Sequence, residues 1–283
     1  RVGTTSPGNE IWLNHAFVAA SVRVLTGFIE PHFFAGFSGG PKMVMPAVAG
    51  IDTVMRNHGA QNIGHPNATW GVTEGNPIWE EIREAALLVS PDFSLNVTLN
   101  KQHEITAVYA GDMLESHRAG CAFVKETAMR AVESSFDVVL TTNSGYPLDL
   151  NVYQAIKGIS AAARVVRDGG AIICAAQCWD GVPEHGTYKD LLYAARTPEE
   201  ILDRISAPGF QMPDQWQAQI QAVIQRRCRV YLYSSLDVHT VQRTHLLPCG
   251  DIERRVASLL AQYGPDATLC VLPQGPQTIP YVR

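Results

Sequence analysis

The chain has 283 residues, is 46% hydrophobic and 17% charged, and carries a formal net charge of -5. That composition fits a globular protein with a sizeable core, in one large domain or two. The lack of a basic block argues against nucleic-acid binding, and no apolar run approaches the ~18–20 residues that a membrane-crossing helix requires.

In chain order, the text alternates β-branched runs with helical patterns. "EIWLN" reads as a short strand, "HAFVAASVR" as helical and "VLTGFIE" as a strand. A helix is expected over Ile51 to His58. "NPIWEEIREAALLVS" is amphipathic, with Ile78, Ile82, Ala85 and Leu88 on one face. "FSLNVTLN" and "EITAVYAGD" read as strands that pair, and "MLESHRAGCAFVKETAMRAV" reads as a helix. Beyond it, "FDVVLTTN", "GGAIICAAQ", "CRVYLYSS" and "ATLCVLP" read as strands. "NVYQAIKGISAAARVV", "PEEILDRIS", "DQWQAQIQAVIQRR" and "DIERRVASLLAQYG" read as the helices between them. The alternation predicts an α/β protein of two domains with mainly parallel sheets. The expected boundary separates residues 1–121 from 122–250, with the last helix and strand, 251–283, returning to the first domain. Six cysteines in a chain this long read as buried thiols, which fits a cytoplasmic protein better than a disulfide framework.

Within "EPHFFAGFSGGPKMVMP", Gly39 and Gly40 form a turn whose backbone N–H groups could cradle a phosphate, with Lys42 just after it. Pro41 and Met43 rule out the Gly-Lys-Ser/Thr of a Walker A loop. On its own, the turn is equally a tight bend needing positive φ. Its spacing to two histidines adds weight: His32 lies ten residues before Lys42 and His58 sixteen after it.

The segment from Gly27 to His58 resembles the lactate racemase family of nickel-pincer-nucleotide enzymes. The matching residues are His32, Gly36, Ser38, Gly39, Gly40, Lys42, Pro46, Asn57 and His58. Three further motifs support the resemblance: "TNSGYPLDLNVYQAIKG" from Thr142, "DQWQAQ" from Asp214, and "LPQGPQTIP" near the end. The resemblance implies an active-site cleft between two domains. Its cofactor would be nickel held by pyridinium-3,5-bisthiocarboxylic acid mononucleotide, which cofactor-building enzymes would supply. It implies that Lys42 tethers this nucleotide, that Ser38, Gly39 and Gly40 line it, and that His58 is the metal's protein ligand. His32 would be one of two catalytic histidines. Tyr153, Gln154, Lys157 and Trp216 would bind or wall the small 2-hydroxy acid substrate.

These residue types suit the implied chemistry. The Cα–H of a 2-hydroxy acid is a poor acid beside a carboxylate, so its removal as hydride avoids a carbanion. A histidine can take the hydroxyl proton near neutrality. Lys157 offers the charge a carboxylate needs, and Gln154 a hydrogen bond to orient it.

Two family segments are not found: an Asp/Thr/Arg-rich loop and the A-T-G-x-H-R segment with the second histidine. The expectation is therefore an enzyme whose N-terminal segment acts in cis or in trans, and a chain inactive alone. Four readings stay open. The first is a lactate-like racemase, and the second an epimerase of a larger acid such as an aldonate or malate. The third is a non-catalytic binding module for the pincer nucleotide, and the fourth a generic phosphate-binding α/β protein with no nickel.

Overall fold

The structure is a computed structural model that describes residues 1–283. The fold is α/β, and the chain divides into two compact units, Arg1–Met129 and Arg130–Arg283. The division falls later than residue 121 because Met113–Ala128 is one unbroken helix, capped by Asp112, that packs on the first unit's strands. The predicted helix stops at Ala128. Residues Met129–Val132 form a strand instead, paired with Ile279–Val282.

The first unit has a three-stranded sheet. Its central strand Phe93–Leu99 pairs in parallel with Val24–Phe28 and antiparallel with Ile105–Gly111, the latter being the pairing expected from the sequence. The helix Pro77–Leu87 starts with Asn76 as its cap and buries Ile78, Ile82 and Ala85. Leu88, expected on the same face, caps its end and is 40% exposed. The run "HAFVAASVR" gives only the short helix His15–Ala19.

The second unit is built on a five-stranded parallel sheet. Its spatial order is Leu247–Pro248, Arg229–Tyr233, Val166–Ala175, Phe136–Thr142 and Leu269–Leu272. Both faces are covered, which explains the unbroken apolar runs in these strands: Val138, Val139 and every residue from Ala171 to Cys174 are fully buried. The last helix and strand do not return to the first unit. Ile252–Tyr263 packs on Val138, Ala171 and Ile173, and Leu269–Leu272 pairs with Phe136–Thr142. The sheet grows outward from Phe136–Thr142 in one direction, and the final strand then closes its other side. Phe136–Thr142 and Leu269–Leu272 therefore flank a topological switch point, where open parallel sheets leave a crevice at their carboxyl ends. The short helices Tyr188–Tyr193 and Val238–Arg243 show too few turns to be read as periodicity.

Candidate functional site

In the first unit, the turn Ser38-Gly39-Gly40 leads into a 3-10 helix, Gly40–Met43, with Lys42 in its last turn and half-buried. Gly39 (φ 79°) and Gly40 (φ 52°) are left-handed, as the sequence suggested. Their surroundings also exclude a side chain. A Cβ on Gly39 would lie 2.9 Å from the Phe28 carbonyl oxygen, and one on Gly40 2.6 Å from the His117 ring. The turn is held from behind: the Gly40 N–H donates to Asn96 Oδ1 (3.0 Å), and Asn96 Nδ2 donates to Ser94 Oγ (2.7 Å). His117 Nε2 donates to the Ser38 carbonyl (2.9 Å).

His32 sits on a two-residue strand paired across a tight hairpin with Gly36. Its Nδ1 accepts from the Ala35 N–H (3.2 Å), so the proton of the neutral ring lies on Nε2. The Phe34 ring stands edge-on to both histidines, its centroid 4.5 Å from His32 and 4.9 Å from His58. Asn76 pins this loop by donating to the Phe34 carbonyl (2.8 Å) and the Val72 carbonyl (2.9 Å) while its Oδ1 caps the helix Pro77–Leu87.

His58 follows the helix Ile51–Asn57 as its C-terminal cap, and its N–H donates to the Val54 carbonyl (2.8 Å). Burial, and then the charge of Lys42, push its imidazole down to about 3, against a separate bond between the ring and the Val54 backbone. His117 is also lowered, chiefly by burial, with Lys42 acting in the same direction and the Ser38 bond against it. Both rings are therefore neutral near pH 7, and His58 keeps the unprotonated nitrogen that metal ligation needs. The structure thus gathers His32, Ser38, Gly39, Gly40, Lys42 and His58 into one group around Phe34 and the turn.

In the second unit, the residues expected to bind substrate lie on or against the helix Val152–Ala162. Asn151 caps it, accepting from the Gln154 N–H (3.1 Å). Tyr153, Gln154 and Lys157 are half-buried, and the last two lie one turn apart. The Trp216 indole donates to the Tyr153 hydroxyl (3.2 Å), which donates to Asp214 Oδ1 (3.3 Å). Burial, then the Asp214 charge, push the Tyr153 phenol up. Burial also raises the Asp214 carboxyl, against the Tyr153 bond. The single hydroxyl proton of Tyr153 is thus directed at Asp214.

The "GYP" loop and the near-terminal "LPQGP" loop meet at the switch point. Thr142 Oγ1 donates to the Pro273 carbonyl (2.9 Å) and Ser144 Oγ to the Gln274 carbonyl (2.7 Å). The sequence reading missed His117, Asn96, Asn76 and Asp214 as supports of these groups. His117 and Asn96 sit in ordinary helix and strand patterns that carry no motif signal. Asp214 lay in view, one residue from the start of its helix, with a left-handed backbone (φ 64°) that the text does not reveal.

A model described as the lactate racemase N-terminal domain matches residues 1–71, and one described as the lactate racemase C-terminal domain matches residues 131–279. The chain belongs to the lactate racemase family. It is 36% identical over 281 residues to a lactate racemase of Thermoanaerobacterium thermosaccharolyticum, covering 98% of this chain and 66% of that protein. It is 37% identical over 279 residues to a lactate racemase of Lactiplantibacillus plantarum, covering 97% and 65%. The chain thus spans about two thirds of the length of these relatives. The lactate racemase apoprotein structure from T. thermosaccharolyticum superposes with a TM-score of 0.94 at 35% identity, covering all of this chain and 67% of the other. A Thermotoga maritima protein structure shares the fold, with a TM-score of 0.70 at 17% identity over 96% of this chain and 69% of that one. No helix is long and apolar enough to cross a membrane.

Proposed function

We propose that this chain carries the greater part of a racemase of a small, lactate-like 2-hydroxy acid, working with a lysine-tethered nickel-pincer nucleotide. One observation carries the reading: a buried histidine kept neutral, His58, lies within the field of a half-buried lysine, Lys42, beside a glycine turn that excludes side chains. The residues fit the cofactor. His58 offers an imidazole of the kind nickel favours, and Gly39 and Gly40 let the backbone turn tightly against Phe28, Asn96 and His117. Lys42 follows that turn directly, with an amine suited to a covalent tether. The names of the two relatives support lactate, or an acid like it, as substrate.

When bound, the cofactor supplies a hydride acceptor, which lets the Cα–H leave without a carbanion. The protein's share is placement and proton handling. His32 exchanges the hydroxyl proton through Nε2, since Nδ1 is engaged by Ala35. The Lys157 ammonium meets the substrate carboxylate and Gln154 donates to it, which fixes the acid for reaction at Cα. Trp216, tied to Tyr153 and Asp214, forms a wall of fixed orientation.

The test is an intact mass and peptide map of protein made together with the cofactor-building enzymes, with nickel measured on the same sample. A nucleotide-sized adduct on the Lys42 peptide is expected, with nickel lost in His58→Ala and the adduct lost in Lys42→Ala. An unmodified Lys42 without nickel, in a chain that also carries the relatives' remaining third, would sink the reading. A loaded protein that exchanges no isotope at Cα of lactate, malate or an aldonate would leave a cofactor-binding module in its place.

A further inference from the structure

Helix Pro77–Leu87 carries a carboxylate that neither the motifs nor the chemistry above uses. Glu81 is 4% exposed, and its two oxygens take two neutral partners. Oε1 accepts from the Thr5 hydroxyl (2.9 Å), and Oε2 accepts from Asn57 Nδ2 (2.7 Å). A buried carboxylate is costly unless well bonded, and neutral donors satisfy it less well than an ion pair does. Its position suggests what it does. Asn57, fully buried, is the residue immediately before His58 and the last of the helix Ile51–Asn57.

Asn57 is anchored on several sides. Its Nδ2 also donates to the Ile78 carbonyl (3.2 Å), and its own carbonyl accepts from Asn62 Nδ2 (2.9 Å). Thr5 is in turn braced, since its hydroxyl oxygen accepts from the Asn9 N–H (3.2 Å) and Asn9 Nδ2 donates to the Thr53 carbonyl (3.0 Å). The network ties the segment Thr5–Asn9, the end of the helix Ile51–Asn57 and the helix Pro77–Leu87 to one carboxylate. A carboxylate only accepts, so it holds the Asn57 amide with its NH₂ toward helix Pro77–Leu87 and permits no flipped alternative.

We propose that Glu81 is a positioning residue for His58: through Asn57 it fixes the turn from which the His58 ring projects. Its value to the enzyme rests on His58 being the metal ligand, as proposed above. Residues that orient a ligand from behind typically change metal affinity by ~10–100-fold when removed.

The test compares Glu81→Ala and Glu81→Gln with Ile82→Ala, which removes a fully buried neighbour on the same helix without touching Asn57. Amide exchange of residues 57–62 is expected to rise about tenfold in Glu81→Ala beyond its rise in Ile82→Ala. Glu81→Gln, whose amide oxygen still accepts from Asn57, should stay within about threefold of the parent chain. In protein matured with the cofactor-building enzymes, nickel retained through gel filtration should fall about tenfold in Glu81→Ala only. Should Glu81→Ala not fold, Thr5→Val removes one partner of the carboxylate and should raise exchange at residues 57–62 more than Ile82→Ala does. Exchange in the glutamate or threonine variants that merely tracks Ile82→Ala would overturn the proposal. Nickel missing from the parent protein would instead count against the ligand role of His58, and the exchange data would still judge Glu81's hold on the turn.

Discussion

The two sheets of this molecule are built on opposite plans. In the second unit, Phe136–Thr142 and Val166–Ala175 bury Val138, Val139, Ile172 and Ile173 completely, as a covered parallel sheet should. In the first unit, Phe93–Leu99 buries Ser94, Asn96 and Thr98 and leaves Phe93, Leu95 and Leu99 about two-fifths exposed. The polar residues are turned inward because the glycine turn needs them: Asn96 holds the Gly40 N–H, and Ser94 holds Asn96. One sheet is a hydrophobic core; the other is a polar cradle for a loop. Stability is concentrated in the first kind of structure, while pre-organisation of a site depends on the second.

Acid should separate the two units most strongly. Folded His58 titrates at about 3, and an unfolded histidine near 6.5. Between those values the unfolded chain binds the extra proton, so the contribution is complete above about pH 6.5 and is lost as the pH falls toward 3. At about 1.4 kcal/mol per pH unit, the loss is on the order of 3 kcal/mol by pH 4.5. His117, also lowered by burial, acts in the same direction. In the second unit, Asp214 is raised by burial and has the opposite sign, contributing in acid and losing that contribution as the pH rises through its folded value. Hydrogen exchange at pH 4.5, corrected for intrinsic rates, should open residues of the first unit before those of the second. His58→Gln should flatten the acid loss. Simultaneous opening, or an unchanged slope in the variant, would contradict this assignment.

Substitutions probe the same contrast. Ile172→Ala, in the fully buried parallel sheet, should cost about 2–5 kcal/mol in denaturant unfolding, from lost transfer energy and the cavity left behind. Gly40→Ala should cost about 2–4 kcal/mol, because a left-handed backbone is strained for alanine and its Cβ meets the His117 ring. The two should differ in where the damage appears. The first lowers global stability, whereas the second also speeds exchange around residues 38–43.

Much of this was legible in the sequence, for reasons that can be stated. Strongly periodic helices such as Pro77–Leu87 and Ile252–Tyr263, and covered strands such as Phe136–Thr142, announce themselves by pattern. His32, Lys42 and the glycines stood out because an apolar run interrupted by such groups is unusual, and His58 through its spacing from Lys42 and the family resemblance. The return of residues 251–283 was misread because a βα pair carries no mark of which sheet it joins. That choice depends on which edge of the parallel sheet is open, here the free side of Phe136–Thr142. Asn96 and Glu81 were invisible for a related reason. An alternating strand reads the same whichever set faces inward, and a glutamate on an amphipathic helix reads as solvated until its partners arrive from distant segments.

The inverted strand gives the smallest effect and the sharpest contrast, because two adjacent residues should behave against their hydrophobicity. Asn96→Ala leaves the buried Gly40 N–H without its acceptor, which should cost about 1–3 kcal/mol. Leu95→Thr changes a side chain that is 38% exposed and sits on the other face of the sheet, in register with Thr26. Threonine is β-branched and favours strands, so the change should stay within about 1 kcal/mol. In an ordinary half-buried strand the order would be reversed, with the leucine costly and the asparagine cheap. Urea unfolding of the two variants at neutral pH decides it. A leucine more costly than the asparagine would mean that the apolar side of Phe93–Leu99 carries this unit's stability and that the Asn96 bond to Gly40 contributes little.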